Sequence, residues 1–143
     1  RYTLKDRVMK KLLGIVMVVA LLTACAVNQE QESEFNIEGS WRVNSLNGEL
    51  VPSELMITLN VDSTFSVNGK SACNSYFGNI DINTDSVTFS RMAVTRMMCD
   101  GVKNKWERDY HSVLSQPFFI EVKEKSSFSL VNTVTRIELK KSL

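Results

Sequence analysis

The stretch VNGKSACNSYFGNI, residues 67–80, places one of the chain's three cysteines between two glycines and among three asparagines. A cysteine in such a setting is a catalytic nucleophile, a metal ligand or one half of a disulfide. Disulfides persist in oxidising compartments and are rare in the cytosol. The role of Cys73 therefore depends first on the compartment in which the protein folds.

The first 24 residues predict export. Residues 1–11 hold five basic residues and one acidic residue, and residues 12–22 are apolar apart from Gly14. A basic start, a short apolar run and a small-residue exit are typical of a secretory signal peptide. The run is shorter than the roughly 20 apolar residues that a membrane span needs. We interpret residues 1–24 as a signal peptide, with Met9 as the natural start.

The exit from the apolar run, Leu22-Thr23-Ala24-Cys25, resembles the lipobox of bacterial lipoproteins. The resemblance implies that Cys25 is acylated on sulfur and becomes the new N-terminus. Together with Ala26 it implies an outer-membrane lipoprotein that faces the periplasm of a Gram-negative-type bacterium. Two or three acyl chains anchor a protein durably, whereas one chain binds only marginally. Residues 25–38 are interpreted as the lipidated cysteine and a flexible acidic tether, because 28–38 are polar and acidic.

The charge of the remaining 119 residues argues against nucleic acid as a partner. The signal holds five of the chain's 17 basic residues and one of its 16 acidic residues. What remains has a net charge of −3, against +1 for the whole chain. A nucleic-acid-binding domain usually carries a basic patch. The length fits one domain with its own core.

Alternating apolar residues predict short antiparallel strands from Gly39 onwards. The clearest hairpin joins MITLNV to TFSVNG through a turn at Asp62-Ser63, with Phe65 and Val67 inward. Asn68-Gly69 is predicted as a strand-end turn. Seven or eight strands are expected, and the other segments are SWRVNSL, YFGNIDI, SVTFS, FFIEV, SFSLV and VTRIELKK.

One segment, residues 100–117, has helical rather than strand periodicity. Its apolar residues form one helical stripe: Val102, Trp106, Tyr110, Val113 and Leu114. Asp100 is suited to cap the start, and Pro117 ends the helix. The predicted fold is a single small α+β domain in which one helix covers an open face or end of the sheet.

The cysteine count favours a disulfide. Lipid attachment occupies Cys25, which leaves Cys73 and Cys99, and two cysteines in an oxidising compartment usually pair. They lie 26 residues apart. In the chain-entropy model, closing such a loop contributes roughly 3.5 kcal/mol to stability.

Two other roles for these residues stay open but have less support. A zinc site needs three or four suitable ligands, and the chain has no CxxC motif and one histidine, so no metal or cofactor is expected. A cysteine nucleophile needs a base, for which His111 on the helix is the one candidate. Glu107 and Asp109 point to different helix faces and form no acid–base pair. We therefore expect no catalytic residues.

The three methionines near Cys99 have two interpretations. Methionine is an adaptable filler of apolar cores, and it is also a soft-metal ligand. We favour core packing around the segment that leads into Cys99, for Met92, Met97 and Met98.

The order of these segments resembles the META (HslJ-like) domain, a family that includes a heat-inducible bacterial lipoprotein. The resemblance rests on GSWRVNSLNG at 39–48, the stretch at 67–80, RMAVTRMMC at 91–99 and WERDYHSVL on the helix. The motif positions are matched by Gly69, Cys73, Asn74, Gly78, Thr95, Met97, Met98 and Cys99. Ala72 departs from the family pattern, which has glycine there, and alanine is less suited to a positive φ.

The resemblance implies that residues 39–143 form a META domain with a strongly curved, barrel-like antiparallel sheet and a packed helix. It implies a structural role for Gly69, Asn74, Gly78 and Thr95, and no enzymatic activity. We expect the glycines to serve turns and bulges, and Asn74 to bond local backbone.

The function that the resemblance implies is envelope stress tolerance, including tolerance of novobiocin-type antibiotics, by a monomer held to the membrane by its lipid. A weaker likeness to secretion pilotins implies an alternative. In it the domain binds an envelope protein or a lipid in an apolar groove beside the helix.

Overall fold

The computed structural model describes residues 35–84 and 86–142. The signal peptide, Cys25 and the tether as far as residue 34 lie outside the described residues. Lipid attachment and export therefore stay predictions.

The described residues form nine strands and one helix. In chain order these are β1 (Gly39–Leu46), β2 (Glu49–Leu50), β3 (Thr58–Val61), β4 (Ser66–Lys70), β5 (Ser75–Ile82), β6 (Val87–Val94), α1 (Gly101–Leu114), β7 (Phe119–Glu124), β8 (Ser127–Val131) and β9 (Arg136–Lys141).

The strands make one curled antiparallel sheet, which confirms the predicted fold class. The order is β6-β5-β4-β3-β1-β9-β8-β7, and the short β2 pairs with β1. The two edges meet at one point, where Val87 and Phe118 exchange backbone hydrogen bonds of 2.7 and 2.9 Å. This contact brings the ends of the sheet together, as in a barrel that is closed at one place only.

The alternation predicted along the strands is the one that builds the core. Successive strand residues face opposite sides of a sheet, so Trp41 and Val43 of β1 are both buried. The Trp41 ring packs edge-on against Phe128 with centroids 4.7 Å apart, and its Nε1 donates to the carbonyl of Ile37 at 2.7 Å. Other strand residues in the same core are Leu59, Val61, Val67, Ile80, Leu130, Ile137 and Leu139, and Ile57, just before β3, joins them.

The helix forms where its caps and its stripe predict it. The Asp100 side chain accepts a hydrogen bond from Lys103 N at 2.9 Å, which satisfies one of the exposed N–H groups of the first turn. The helix ends at Leu114, three residues before Pro117. Four of the five predicted stripe residues are buried, but Val102 is 61% exposed because the core begins one turn further along the helix.

The prediction that Phe65 points inward is wrong. The turn between β3 and β4 takes four residues rather than two, and the Asp62 carboxylate accepts from Thr64 N at 2.8 Å and Ser66 N at 3.0 Å. Phe65 occupies the last turn position with φ of +59°. Its ring is 47% exposed, and Val67 is the first inward residue of β4.

The prediction of a turn at Asn68-Gly69 is also wrong, because both residues lie within β4. Gly69 pairs with Tyr76 of β5, and a Cβ at this position would collide with the Thr58 carbonyl and the Tyr76 ring. The glycine is needed for close approach of two strands, and not for a turn. Gly78, in contrast, lies at a register shift between β5 and β6, as a bulge residue should.

Ala72 adopts a φ of +75°. The chain thus accepts a strained alanine at the position where the resemblance implies glycine. The turn forms nonetheless, with Ala72 N donating to the Met56 carbonyl at 3.0 Å.

We predict that Gly69→Ala lowers the free energy of unfolding by about 3 kcal/mol, since the added methyl group meets backbone that cannot move aside. Gly101→Ala is the matched control, because a Cβ there meets nothing within 4 Å. Alanine at this helix position should be neutral or raise stability by up to about 1 kcal/mol. Urea unfolding of both variants measures the difference. Equal losses would contradict the packing role of Gly69.

Candidate functional site

Cys73 and Cys99 form a disulfide with their Cα atoms 6.1 Å apart, which confirms the predicted pairing. The bond joins the β4–β5 connection to the segment just before α1. Neither sulfur is then available as a thiolate, which a cysteine nucleophile requires. The hypothesis of a Cys–His catalytic pair therefore gains no support.

The side chain of Asn74 lies beside the disulfide and is 3% exposed. Its Oδ1 accepts hydrogen bonds from Met97 N at 2.7 Å and Thr95 Oγ1 at 2.9 Å. Its Nδ2 donates to Glu107 Oε1 at 2.8 Å. The expectation that Asn74 bonds local backbone is wrong, because these partners are 21 to 33 residues away. A side-chain amide joins three separate segments here.

Glu107 completes this arrangement from the helix side. Its Oε2 accepts from the backbone N of Asn74 at 2.7 Å and from Ser71 Oγ at 3.3 Å. Asp109 points elsewhere and pairs with Lys105 at 2.9 Å, so the prediction that the two carboxylates face different ways is confirmed. We call Ser71, Asn74, Thr95 and Glu107 the Asn74 cluster.

The two buried tyrosines below the cluster connect the helix to the sheet. Tyr76 Oη donates to the Thr58 carbonyl at 2.7 Å, and the Tyr110 hydroxyl lies 2.9 Å from Tyr76 Oη. Because Tyr76 has one proton to give, Tyr110 is the donor in the second bond. Burial raises the pKa of both phenols, so both are neutral at physiological pH.

His111 lies against this tyrosine pair, with its ring edge-on to Tyr76 at 5.6 Å between centroids. Burial lowers the pKa of its imidazole, and the nearby Glu107 carboxylate opposes that effect. Within the described residues, His111 Nε2 has no hydrogen-bond partner. The ring therefore behaves as a packed neutral side chain.

The described residues offer neither a metal site nor a membrane-spanning helix. They contain no group of three or more His, Cys, Asp or Glu side chains placed to hold a metal ion. No helix in this part of the chain combines the length and the apolar character that crossing a bilayer needs.

The prediction that the three methionines pack in the core is confirmed for Met92 only. Met92 is partly buried against the core, whereas Met97 is 57% and Met98 99% exposed. The strand ends at Val94, so the segment into Cys99 is a loop. Its backbone is held by Asn74, and its side chains are left outside.

Two open depressions lie on the described surface. The first has a volume of about 660 Å³, and its lining includes Phe65, Ile82 and Arg91. The second, about 380 Å³, lies between Asn47 and the β8–β9 turn. Neither is lined by a residue of α1.

The order of strands, the disulfide and the Asn74 cluster can now be set beside known proteins. Residues 24–141 match the family model of the META domain. The chain belongs to the META domain family. The match identifies the domain, while lipid attachment at Cys25 and a stress role remain proposals.

Two solved structures resemble this META domain. One is the NMR structure of a protein from Burkholderia xenovorans, with 23% identity, coverage of 73% of this chain and 82% of that chain, and a TM-score of 0.62. The other NMR structure has 19% identity, coverage of 72% and 88%, and a TM-score of 0.59. At these identities the likeness shows the fold alone. No curated protein matches the chain significantly.

Sequence reasoning singled out Cys73 and Cys99 as a disulfide and Asn74 and Thr95 as structural motif residues, and it missed Glu107 as their partner. The missing residue is separated from Asn74 by 33 positions and sits on a helix with several other charged residues. Nothing in its local sequence distinguishes it from a solvated carboxylate.

We predict that Asn74→Asp lowers the free energy of unfolding by about 3 kcal/mol at neutral pH, because a carboxylate replaces the donor to Glu107 and adds a like charge. Asn60→Asp is the control, since the Asn60–Asn68 amide pair is solvent-exposed. It should cost well under about 1 kcal/mol. Urea midpoints with the disulfide intact measure both.

Adding Glu107→Gln to Asn74→Asp should restore about 2 kcal/mol, because the new amide donates to the new carboxylate and still accepts from backbone N. This exchange reverses the donor and acceptor sides of one bond. Additive losses in the double variant would show that the two side chains do not interact as described.

We predict a pH dependence of stability from His111. Because its pKa is lowered in the folded state, the folded state binds fewer protons than the unfolded state near the ordinary value of 6.5. The free energy of unfolding should therefore fall as the pH is lowered through that value. Unfolding curves between about pH 5.5 and 7.5 test this, where carboxyl groups stay ionised. His111→Gln should flatten the slope, and an unchanged slope would assign the effect elsewhere.

Proposed function

We propose that this protein is a lipid-anchored envelope protein whose META domain acts without catalysis and supports tolerance of envelope stress, including novobiocin-type antibiotics. The supporting observation is the state of the Asn74 cluster. Every polar group of the Asn74 side chain is bonded within the domain, to Met97, Thr95 or Glu107. Buried polar groups that are paired in this way stabilise the fold, which supports a structural role for the cluster.

The disulfide suits the same location. It forms in oxidising compartments such as the periplasm, and it joins the loop before α1 to the sheet. A disulfide between these segments stabilises the folded domain by constraining the unfolded chain, which suits a protein exposed in the envelope.

Among the described residues, the inward face of α1 gives no support to the alternative of a pilotin-like or lipid-carrier module. Such a module needs an apolar groove beside the helix. The inward residues of α1, namely Trp106, Tyr110, Val113 and Leu114, are between 1% and 9% exposed. They pack directly onto the core and leave that side of the helix filled.

We predict that Cys25→Ala abolishes membrane association when the full chain is expressed in a Gram-negative-type host. Wild-type protein should partition into the membrane fraction, and mass spectrometry should find Cys25 as an acylated N-terminus. A Cys73→Ala, Cys99→Ala double variant is the control, because it removes two cysteines and leaves the lipobox intact. Its Cys25 should still be acylated. Identical fractionation of wild type and Cys25→Ala would refute the anchor.

The stress role is tested in the source bacterium with the gene deleted. The deletion strain should become more sensitive to novobiocin, and the wild-type gene should restore growth. Complementation by Cys25→Ala should be weaker, since the domain would no longer be held at the membrane. Full tolerance in the deletion strain would refute the stress role, and a lipid or protein that co-purifies specifically would favour the binding module.

A further inference from the structure

The larger depression lies where two hairpins end side by side. It is formed by the β3–β4 turn and the β5–β6 hairpin, and the carbonyl of Phe65 accepts a hydrogen bond from Ile80 N at 2.9 Å across it. We call it the hairpin-end groove. Its lining includes Phe65, Asp81, Ile82, Ser90 and Arg91.

Two residues that line the groove have unfavourable backbone conformations. Phe65 and Arg91 have φ of +59° and +52°, and residues other than glycine adopt such positive values only at a cost in free energy. Arg91 lies in the register shift opposite Gly78, and Phe65 ends the four-residue turn. Strained positions of this kind cluster at sites that bind ligands. The backbone here presents an aromatic ring and a guanidinium at one groove.

The groove combines apolar and charged groups in the manner of a membrane-interface surface. Phe65 is 47% and Ile82, the last residue of β5, is 41% exposed, which is a high exposure for large apolar side chains. Aromatic rings favour the headgroup level of a bilayer, and arginine binds phosphate. Asp81 adds a carboxylate, whose Oδ2 accepts from Ser90 Oγ at 2.8 Å. A phosphate-binding cation and a carboxylate together match a phosphatidylethanolamine headgroup, which carries a phosphate and an ammonium group.

The chain enters the domain at the same end of the sheet. The first residue of β1, Gly39, pairs with Val61, which directly precedes the β3–β4 turn at Asp62. Phe35 lies ten positions after Cys25, with nine residues between them. An extended chain of that length reaches at most about 35 Å. An anchor at Cys25 would therefore limit how far the start of β1 can lie from the bilayer.

We propose that the hairpin-end groove docks on the surface of the bilayer into which the lipid anchor is inserted, with Phe65 and Ile82 at headgroup depth and Arg91 on phosphate. The proposal rests on the proposed function, because the anchor supplies the proximity. Docking would orient the META domain so that the exposed loop with Met97 and Met98, at the other end of the sheet, faces away from the membrane.

Tryptophan reporters in the acylated full-length protein test this docking. Phe65→Trp places the reporter in the groove, and Phe77→Trp is the matched control, with 58% exposure outside the groove. The native Trp41 and Trp106 are buried and contribute a constant background. The protein is reconstituted into vesicles of phosphatidylethanolamine with a minor fraction of phosphatidylglycerol and brominated acyl chains. We expect Phe65→Trp to lose most of its added emission and to shift to the blue, and Phe77→Trp to keep both.

Separate readouts distinguish docking from anchoring. Vesicle flotation and the mass of the N-terminal cysteine report the anchor, whereas quenching reports docking. Acylated protein that floats while both reporters stay unquenched overturns docking and leaves the proposed function standing. If the expressed full-length protein carries no acyl chains on Cys25 and does not float with the vesicles, the proposed function is overturned. Self-association in the ultracentrifuge that shields Phe65→Trp without vesicles would assign the groove to a second copy and overturn docking as well.

A folding control keeps the test decisive. Circular dichroism must show the same melting temperature for each reporter variant as for wild type. If Phe65→Trp fails to fold, Ile82→Trp takes its place, because it lines the same groove. Adding Arg91→Gln to the reporter should reduce its quenching by removing the phosphate contact, and unchanged quenching would contradict the role of Arg91.

Discussion

The hydrogen bonds of one buried amide hold this META domain together. Asn74 accepts from the backbone of Met97 and donates to Glu107, so a single side chain joins the β4–β5 connection, the loop after β6 and the helix. The disulfide lies beside it and joins the same connection to the same loop. Burial makes each of these bonds expensive to break, because a lost partner leaves a polar group without water. The helix is fixed over the sheet by this cluster, and the tyrosine pair below it depends on that position.

The Asn74 cluster explains why the chain has the META fold, but it does not explain what the domain does. Four of the residues that carry the family resemblance are paired with one another, Cys73 with Cys99 and Asn74 with Thr95, so they specify an architecture that other chains can use for other purposes. What this chain can bind is left to its surface. There, the strained Phe65 and Arg91 meet at one groove, while Met97 and Met98 stand exposed on a loop held by Asn74. Function in such a domain is expected to vary with these outward side chains more than with the motif.

Prediction from the sequence succeeded where one local period decides the outcome. The alternation in β1, β3, β8 and β9 and the stripe of α1 all place apolar residues on one face, and burial follows. Prediction failed where the length of a turn or the end of a strand interrupts the alternation of inward and outward residues. One longer turn moved Phe65 outward, and the end of β6 at Val94 left Met97 and Met98 outside the core. Residue type does not reveal turn length, and so hydrophobicity alone placed these side chains wrongly.

The amino-acid sequence by itself determined the α+β class, the helix and the pairing of Cys73 with Cys99, because these follow from short-range periods, caps and the two cysteines that remain beside the lipobox cysteine. Its motifs, rather than its periodicity, carry the resemblance to the META family. Only the tertiary structure decided that Glu107 is the partner of Asn74, that Gly69 serves a close approach to Tyr76 and that the sheet closes on itself at Val87 and Phe118. These contacts join residues far apart in the chain. Their energies depend on distances and burial that exist only once the sheet has curled.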